Sequence, residues 1–128
     1  MTIETFDRKA SLVIVKVTVK VKDAIKEYIF AVDTGATITL VSEMAIKDMG
    51  YSPSHCIGTT HTVTASKTET VREYSLDNIM ALGIIRRNFK VISRALPLGL
   101  GIDGLLGLNF FKYKELTIDF RKSEIRIQ

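Results

Sequence analysis

The stretch Ala31-Val32-Asp33-Thr34-Gly35-Ala36-Thr37 holds the one Asp-Thr-Gly triplet of a 128-residue chain. An apolar β-type run feeds it. A carboxylate followed by a small hydroxyl residue and a glycine fits an acid held on a tight loop. Taken alone, the triplet is read first as an Asx turn, in which the carboxylate caps its own loop and Gly35 supplies a positive φ. One carboxylate cannot serve as both general base and general acid in the same water attack, because the two roles need opposite protonation states. A catalytic Asp33 therefore requires a second carboxylate. The simplest source is a two-fold axis that sets Asp33 against its own copy in a homodimer.

Upstream of the triplet, residues 11–21 alternate strictly. Val13, Val15, Val17, Val19 and Val21 share one face, and Leu12, Ile14, Lys16, Thr18 and Lys20 lie on the other, which is the period of a half-buried strand whose first half is apolar on both faces. Lys22-Asp23-Ala24 reads as a hairpin turn and Ile25 to Val32 as the strand that delivers Asp33. Downstream, Ile38 to Val41 is a short β run. Ser42 is placed to cap a helix over Glu43–Met49, with Gly50 as its stop. Tyr51 to Gly58 reads as a loop. Residues 59–81, rich in Thr and Val, predict a long hairpin with its tip at Ala65-Ser66-Lys67. Gly83 marks a turn, and Asn88 to Ser93 a strand. The glycine-rich stretch Leu96 to Gly104 reads as a loop. The stub Leu105-Leu106-Gly107, a short helix over Leu108 to Lys112, and strands at Leu116 to Phe120 and Glu124 to Ile127 complete a β-dominated domain with one or two short helices.

Composition is that of an ordinary globular domain: 46% hydrophobic, 25% charged and 8% aromatic residues. At this length a hydrophobic core needs no disulfide or metal staple. Residues 1–10 are charged and weakly patterned, so they predict a weakly ordered segment ahead of a single domain over 11–128. The net charge of +4 is spread along the chain. It forms no block of like charges and carries no aromatic stacking motif, so no nucleic-acid partner is expected. Cys56 is the sole cysteine, which excludes an intrachain disulfide and a cysteine metal cluster. No run approaches the length of a membrane span, and the first ten residues carry no apolar signal core. The expected setting is cytoplasmic, with no membrane partner.

A second motif lies far downstream, in Ile102-Asp103-Gly104-Leu105-Leu106-Gly107-Leu108-Asn109-Phe110-Phe111. Two apolar residues and a glycine let a strand pass close to another backbone before a helix begins. Core packing of a leucine-rich stub is the plainer reading of the same residues. Taken with the first motif, and with the order of elements between them, the chain from about residue 12 onward resembles the retropepsin-like aspartic proteases. These are single-domain, homodimeric enzymes. The Leu98-to-Gly107 stretch is more similar to the prokaryotic free-standing members than to the viral ones.

The resemblance implies an all-β, closed β-barrel-like domain and an aspartic-type endopeptidase without metal or cofactor. It implies Asp33 as the catalytic carboxylate, contributed once by each protomer. Thr34 matches the residue whose hydroxyl interlocks with its mate beneath the pair. Gly35 matches the glycine whose backbone approaches both the pair and the bound peptide. Ala36 and Thr37 would line the substrate cleft, and Ala65, Ser66 and Lys67 would form the flap tip over a peptide or protein substrate. Two departures stand out. The flap tip lacks the family's usual glycine and carries Lys67 instead. The acidic residue and arginine that pair in viral members are replaced by Thr37 and Leu108. The altered flap keeps open a second reading, a retropepsin-fold dimerisation or peptide-binding module with little or no turnover.

Other candidates are weaker. His55, Cys56 and His61 match no common zinc spacing, and no oxyanion loop accompanies Cys56. They read as surface or turn residues. Arg86-Arg87 reads as a hairpin-turn charge pair. Asp103, between turn residues, reads as a turn carboxylate and not as a second catalytic acid.

Overall fold

The computed structural model describes residues 1–63, 65–97 and 99–128. Thr64, in the expected hairpin, and Leu98, in the expected glycine-rich loop, lie outside them. Among the described residues, ten strands and two short α-helices follow one another: β1 Thr2–Thr5, β2 Ile14–Val21, β3 Ala24–Val32, β4 Leu40–Ser42, α1 Glu43–Asp48, β5 Gly58–Val63, β6 Thr68–Ala81, β7 Ile84–Arg94, β8 Gly104–Leu106, α2 Leu108–Phe111, β9 Leu116–Asp119 and β10 Glu124–Ile127.

The alternation in β2 does what its period requires. Val15, Val17 and Val19 point into the core at 3% exposure or less, and β2 runs antiparallel to β3 with Val17 opposite Tyr28. The connecting loop is the two residues Lys22-Asp23, with Lys22 at φ 53°. A second two-residue hairpin joins β6 to β7 at Leu82 (φ 54°) and Gly83 (φ 74°). Positive φ in such loops matches the right-handed twist of the strands they join.

Six strands close into a barrel in the order β2-β3-β8-β4-β7-β6, with Thr18 of β2 opposite Met80 of β6. The core is filled by Phe30, Leu76, Ile79, Leu106 and Phe110, all fully buried. The first half of β6 leaves the barrel and pairs with β5, from Gly58 opposite Glu73 to Val63 opposite Thr68. A separate three-stranded sheet has the order β1-β10-β9.

The decisive feature is β8. It runs parallel to β3, with Ala31 opposite Leu105, and antiparallel to β4, with Leu40 opposite Leu105. It therefore sits between two strands that are neighbours in sequence. The connection from Val32 to Leu40 has to cross over the end of β8, and the two glycines flanking Leu105-Leu106 make room for it. A Cβ on Gly104 would collide with Leu40 O and the Phe30 ring. A Cβ on Gly107 would lie 2.7 Å from Ala36 O and 2.8 Å from Ile38 C.

Helix α1 ends at Asp48, one residue earlier than expected. Ser42 Oγ accepts from Ala45 N at 3.0 Å. Gly50, at φ 97°, closes the other end, with Gly50 N donating to Lys47 O and Tyr51 N to Ile46 O. That pair of bonds satisfies carbonyls the helix leaves open.

Four details add to or correct the expectations. Thr2–Thr5, in the segment expected to be weakly ordered, form β1 and pair with β10 from Thr2 opposite Ile127 to Thr5 opposite Glu124. The expected loop after α1 holds a 3₁₀ turn at Pro53–His55. Strand β7 begins at Ile84, not Asn88; Asn88 is a kink inside it at φ 48°. Arg86 is accordingly not a turn residue. Its Nε donates to Phe110 O at 3.0 Å and its guanidinium also reaches Lys112 O, so it clasps the end of α2.

Candidate active site

Strand β3 ends at Val32, and its direction carries Asp33 onto the crossing loop. Asp33 N donates to Leu106 O at 2.9 Å, which ties the start of the loop to β8. Ala36 N returns to Asp33 O at 3.1 Å. Gly35 N donates to Asp33 Oδ1 at 3.0 Å. This is the Asx-turn geometry, and it holds the carboxylate in one orientation. Among the described residues nothing else bonds to that carboxylate, so Oδ2 is left for whatever enters the cleft.

The far side of the loop is anchored by two residues. Thr39 is fully buried. Its backbone N and its Oγ1 both donate to Asn109 Oδ1 at 2.8 Å. Thr39 Oγ1 in turn accepts from Gly107 N at 3.0 Å, and Asn109 Nδ2 donates to Lys90 O at 2.8 Å. Two backbone bonds finish the crossing, Leu108 N to Ala36 O at 2.8 Å and Asn109 N to Thr37 O at 3.2 Å. The two motifs of the sequence are thus one hydrogen-bonded unit. A loop so fully bonded holds its carboxylate without further support.

Asp33 lies at the edge of a cleft of about 390 Å³ between the crossing loop and the β5 side of the hairpin. Gly35, Ala36 and Thr37 line it with Asp33. Ile38, Leu40, Ile92 and Leu105 give it an apolar floor, and Thr60, His61, Thr62, Val63 and Arg94 border it. Leu40 and Ile92 of this floor, with Val71, form a small hydrophobic cluster separate from the barrel core, against which Ile38 and Leu105 pack. Asp33 is the one carboxylate among the described lining residues.

Of the residues expected at the site, Asp33, Gly35, Ala36 and Thr37 come together. Thr34 is exposed on the same loop and stands outside the cleft lining. Ala65, Ser66 and Lys67 are exposed at the hairpin end and do not reach the cleft. Lys67 bonds Glu69 at 2.7 Å, and Arg94 approaches the same carboxylate at 3.5 Å. The Lys67 ammonium, and after it the Arg94 guanidinium, hold the Glu69 carboxyl below its ordinary range.

Asp103 is placed at the other end of β8. Its Oδ2 accepts from Ile29 N at 2.9 Å, and its backbone bonds Ile29 O and Ser42 N. It pins β8 between its neighbours. Ile29 is four residues from Asp33, roughly 13 Å along a strand, so Asp103 supplies no second acid to this cleft. His61, read as an ordinary surface residue, borders the cleft. His55 Nδ1 accepts from Ser52 N at 2.9 Å and belongs to the 3₁₀ turn.

Thr39 and Arg94 are not singled out by the sequence, and Asn109 enters only as one residue of the second motif. A lone asparagine in a short leucine-rich stretch carries no signal of its own. Its role exists only once β8 is inserted and Thr39 stands opposite it.

The chain matches a family model described as aspartyl protease over residues 17–110. No curated protein matches it in sequence. Among solved structures, the crystal structure of a retropepsin-like aspartic protease from Rickettsia conorii is similar, with a TM-score of 0.72. The two are 19% identical, and the match covers 96% of this chain and 86% of that one. With Asp33-Thr34-Gly35 on the crossing loop of a closed six-stranded barrel of retropepsin-like fold, the chain belongs to the aspartyl protease family.

Proposed function

We propose that the protein is an aspartic endopeptidase that works as a homodimer, with Asp33 of each protomer meeting on the two-fold axis. The observation that carries this reading is the single, fixed, accessible carboxylate of the cleft. Asp33 Oδ1 is oriented by Gly35 N–H, and no other described carboxylate lines the same space. The exposure of Thr34 supports the arrangement, since its hydroxyl is open to the same residue of a second copy.

Two such carboxylates within hydrogen-bond reach cannot both ionise cheaply, so the pair holds one proton between them. The ionised member takes a proton from a water lying between the two. The protonated member donates to the carbonyl oxygen of the scissile peptide as the water attacks. A tetrahedral diol forms, and it collapses with proton transfer to the leaving amine. The apolar floor of Ile38, Leu40, Ile92 and Leu105 takes substrate side chains, and the β5–β6 hairpin acts as the flap.

The test compares wild type with Asp33→Asn on an unstructured protein substrate from acidic to neutral pH, with the oligomeric state measured alongside. Cleavage by the wild type alone, from a dimer, is expected. Equal cleavage by both proteins removes Asp33 as the catalyst. A dimer that binds peptide at every pH without cutting it is the binding module instead.

A further inference from the structure

We propose that Arg94 determines specificity by selecting substrates that carry an acidic side chain, Asp or Glu, in the part of the peptide lying along the end of β7. The inference rests on the proteolytic reading of the cleft. Arg94 is the last residue of β7, opposite Ser42 of β4, and borders the cleft next to the apolar floor. Its side chain is 34% exposed, and its Nε is buried with no hydrogen-bond partner. Thr62 Oγ1, on β5 and bordering the same cleft, is likewise buried and unpartnered. Two donors without acceptors in one cleft are costly unless a ligand completes them.

Arg94 shares its nearest carboxylate with another cation. Glu69 is a single carboxylate approached by two cations, and its shorter contact, 2.7 Å, is with Lys67. Arg94 stands at 3.5 Å from it. A planar guanidinium is shaped for two parallel bonds to a carboxylate. The Thr62 hydroxyl is free to donate to the same anion. An aspartate or glutamate of a bound peptide meets the exposed part of the guanidinium and, with a small shift of the side chains that cover them, supplies the acceptors that Nε and Oγ1 lack. The chain's net charge of +4 favours the approach of such a substrate.

Register separates this role from catalysis. From β7 through β4 and β8 to β3 is three strand spacings, and four residue steps divide Arg94 from Asp33 along the strands. Laid flat, that is at most roughly 20 Å, or about six residues of extended peptide. Arg94 therefore takes no part in proton transfer at Asp33. It reads a side chain some residues away from the scissile bond.

The experiment uses the full chain as wild type, Arg94→Gln and Arg94→Lys. A peptide library first locates cleavage sites. Paired peptides then carry Glu or Gln at each of the six positions on either side. The wild type should show a Glu-over-Gln ratio in kcat/KM of about tenfold at one position, the scale of a charge-assisted bond at a partly exposed site. Arg94→Gln should bring that ratio to about one, and Arg94→Lys should keep part of it. No acidic preference in the wild type, or an unchanged ratio in Arg94→Gln, overturns the proposal. Binding of the same pairs to Asp33→Asn protein, with and without Arg94→Gln, reads the subsite apart from turnover. Equal affinity for Glu and Gln peptides there overturns the subsite even where cleavage occurs. A Glu preference without any wild-type cleavage supports the subsite while the endopeptidase reading fails. Should Arg94→Gln not fold, the wild type and Arg94→Lys decide by the same ratio.

Discussion

Replacing Asn109 with alanine should destabilise the fold by about 3–4 kcal/mol, as the sum of three lost hydrogen bonds and one buried orphan. Asn109 Oδ1 accepts from Thr39 N and from Thr39 Oγ1, and Nδ2 donates to Lys90 O, each at 2.8 Å. A net value near 1 kcal/mol per bond gives about 3 kcal/mol. Thr39 is at 0% exposure, so water cannot replace the acceptor its N–H loses, and that adds on the order of 1 kcal/mol. The Thr39 hydroxyl still accepts from Gly107 N and can turn its proton elsewhere, which limits the total. Asn109→Asp is the informative control. It keeps the acceptor for both Thr39 donors but replaces the donor to Lys90 O with a carboxylate oxygen that repels it, so it should lose about 2 kcal/mol, still less than alanine. The chain has no tryptophan, so urea unfolding is best followed by far-ultraviolet circular dichroism at fixed protomer concentration. A double-mutant cycle with Thr39→Val should return a coupling above about 1 kcal/mol. The reasoning fails if Asn109→Ala costs less than about 1 kcal/mol, or if Asp and Ala cost the same.

Gly107→Ala should abolish folding or lower stability by about 3 kcal/mol or more, because its Cβ would meet Ala36 O, Ile38 C and Thr39 N, all backbone, at 2.7–2.9 Å; unfolding midpoints of Gly107→Ala and Gly99→Ala measure it, and equal midpoints count against the crossing. Tyr28→Phe should flatten the pH dependence of stability at both ends. The Tyr28 hydroxyl bonds Asp48 Oδ2 at 2.7 Å, and that bond, with Lys26 adding, lowers the Asp48 pKa. Stability from Asp48 is therefore present above the ordinary carboxyl value of 3.8 and lost as pH falls below it. Burial, then the Asp48 bond, raises the Tyr28 pKa, so its contribution is present below pH 10.0 and lost as pH rises beyond it. Urea midpoints across pH 3 to 11 that run parallel in the two proteins contradict this pair.

Strand periodicity was legible wherever one face is buried and the other wet. The valines of β2 and the Ser42 and Gly50 signals around α1 state their structures locally. The N-terminal strand was not legible, because Thr2–Thr5 gain order only from β10, which lies at the opposite end of the chain. The break at Asn88 misled for a physical reason. One residue at φ 48° interrupts the alternation while the ladder with β6 continues on both sides of it. The carboxylate itself was plain from Asp33-Thr34-Gly35. Its anchoring by Thr39 and Asn109, and the placing of Arg94 and Thr62 beside the apolar floor, depend on which strands pair. Periodicity says which way a side chain faces within its strand and nothing about its neighbour across the sheet. The flap expectation shows the same limit. The hairpin is present, but Thr60 to Val63 on its β5 arm border the cleft, and the tip residues do not.

The most direct test of a shared site is dilution of wild-type protein with Asp33→Asn protein under conditions of subunit exchange. In a mixture of one part wild type to three parts variant, a site built from two copies of Asp33 leaves about one-sixteenth of the dimers active, the square of the wild-type fraction. A site complete within each protomer leaves about one quarter of the activity of the same total of wild-type protein. Cleavage that follows the square of the wild-type fraction is the result expected here. Cleavage that falls in simple proportion contradicts the two-fold catalytic pair.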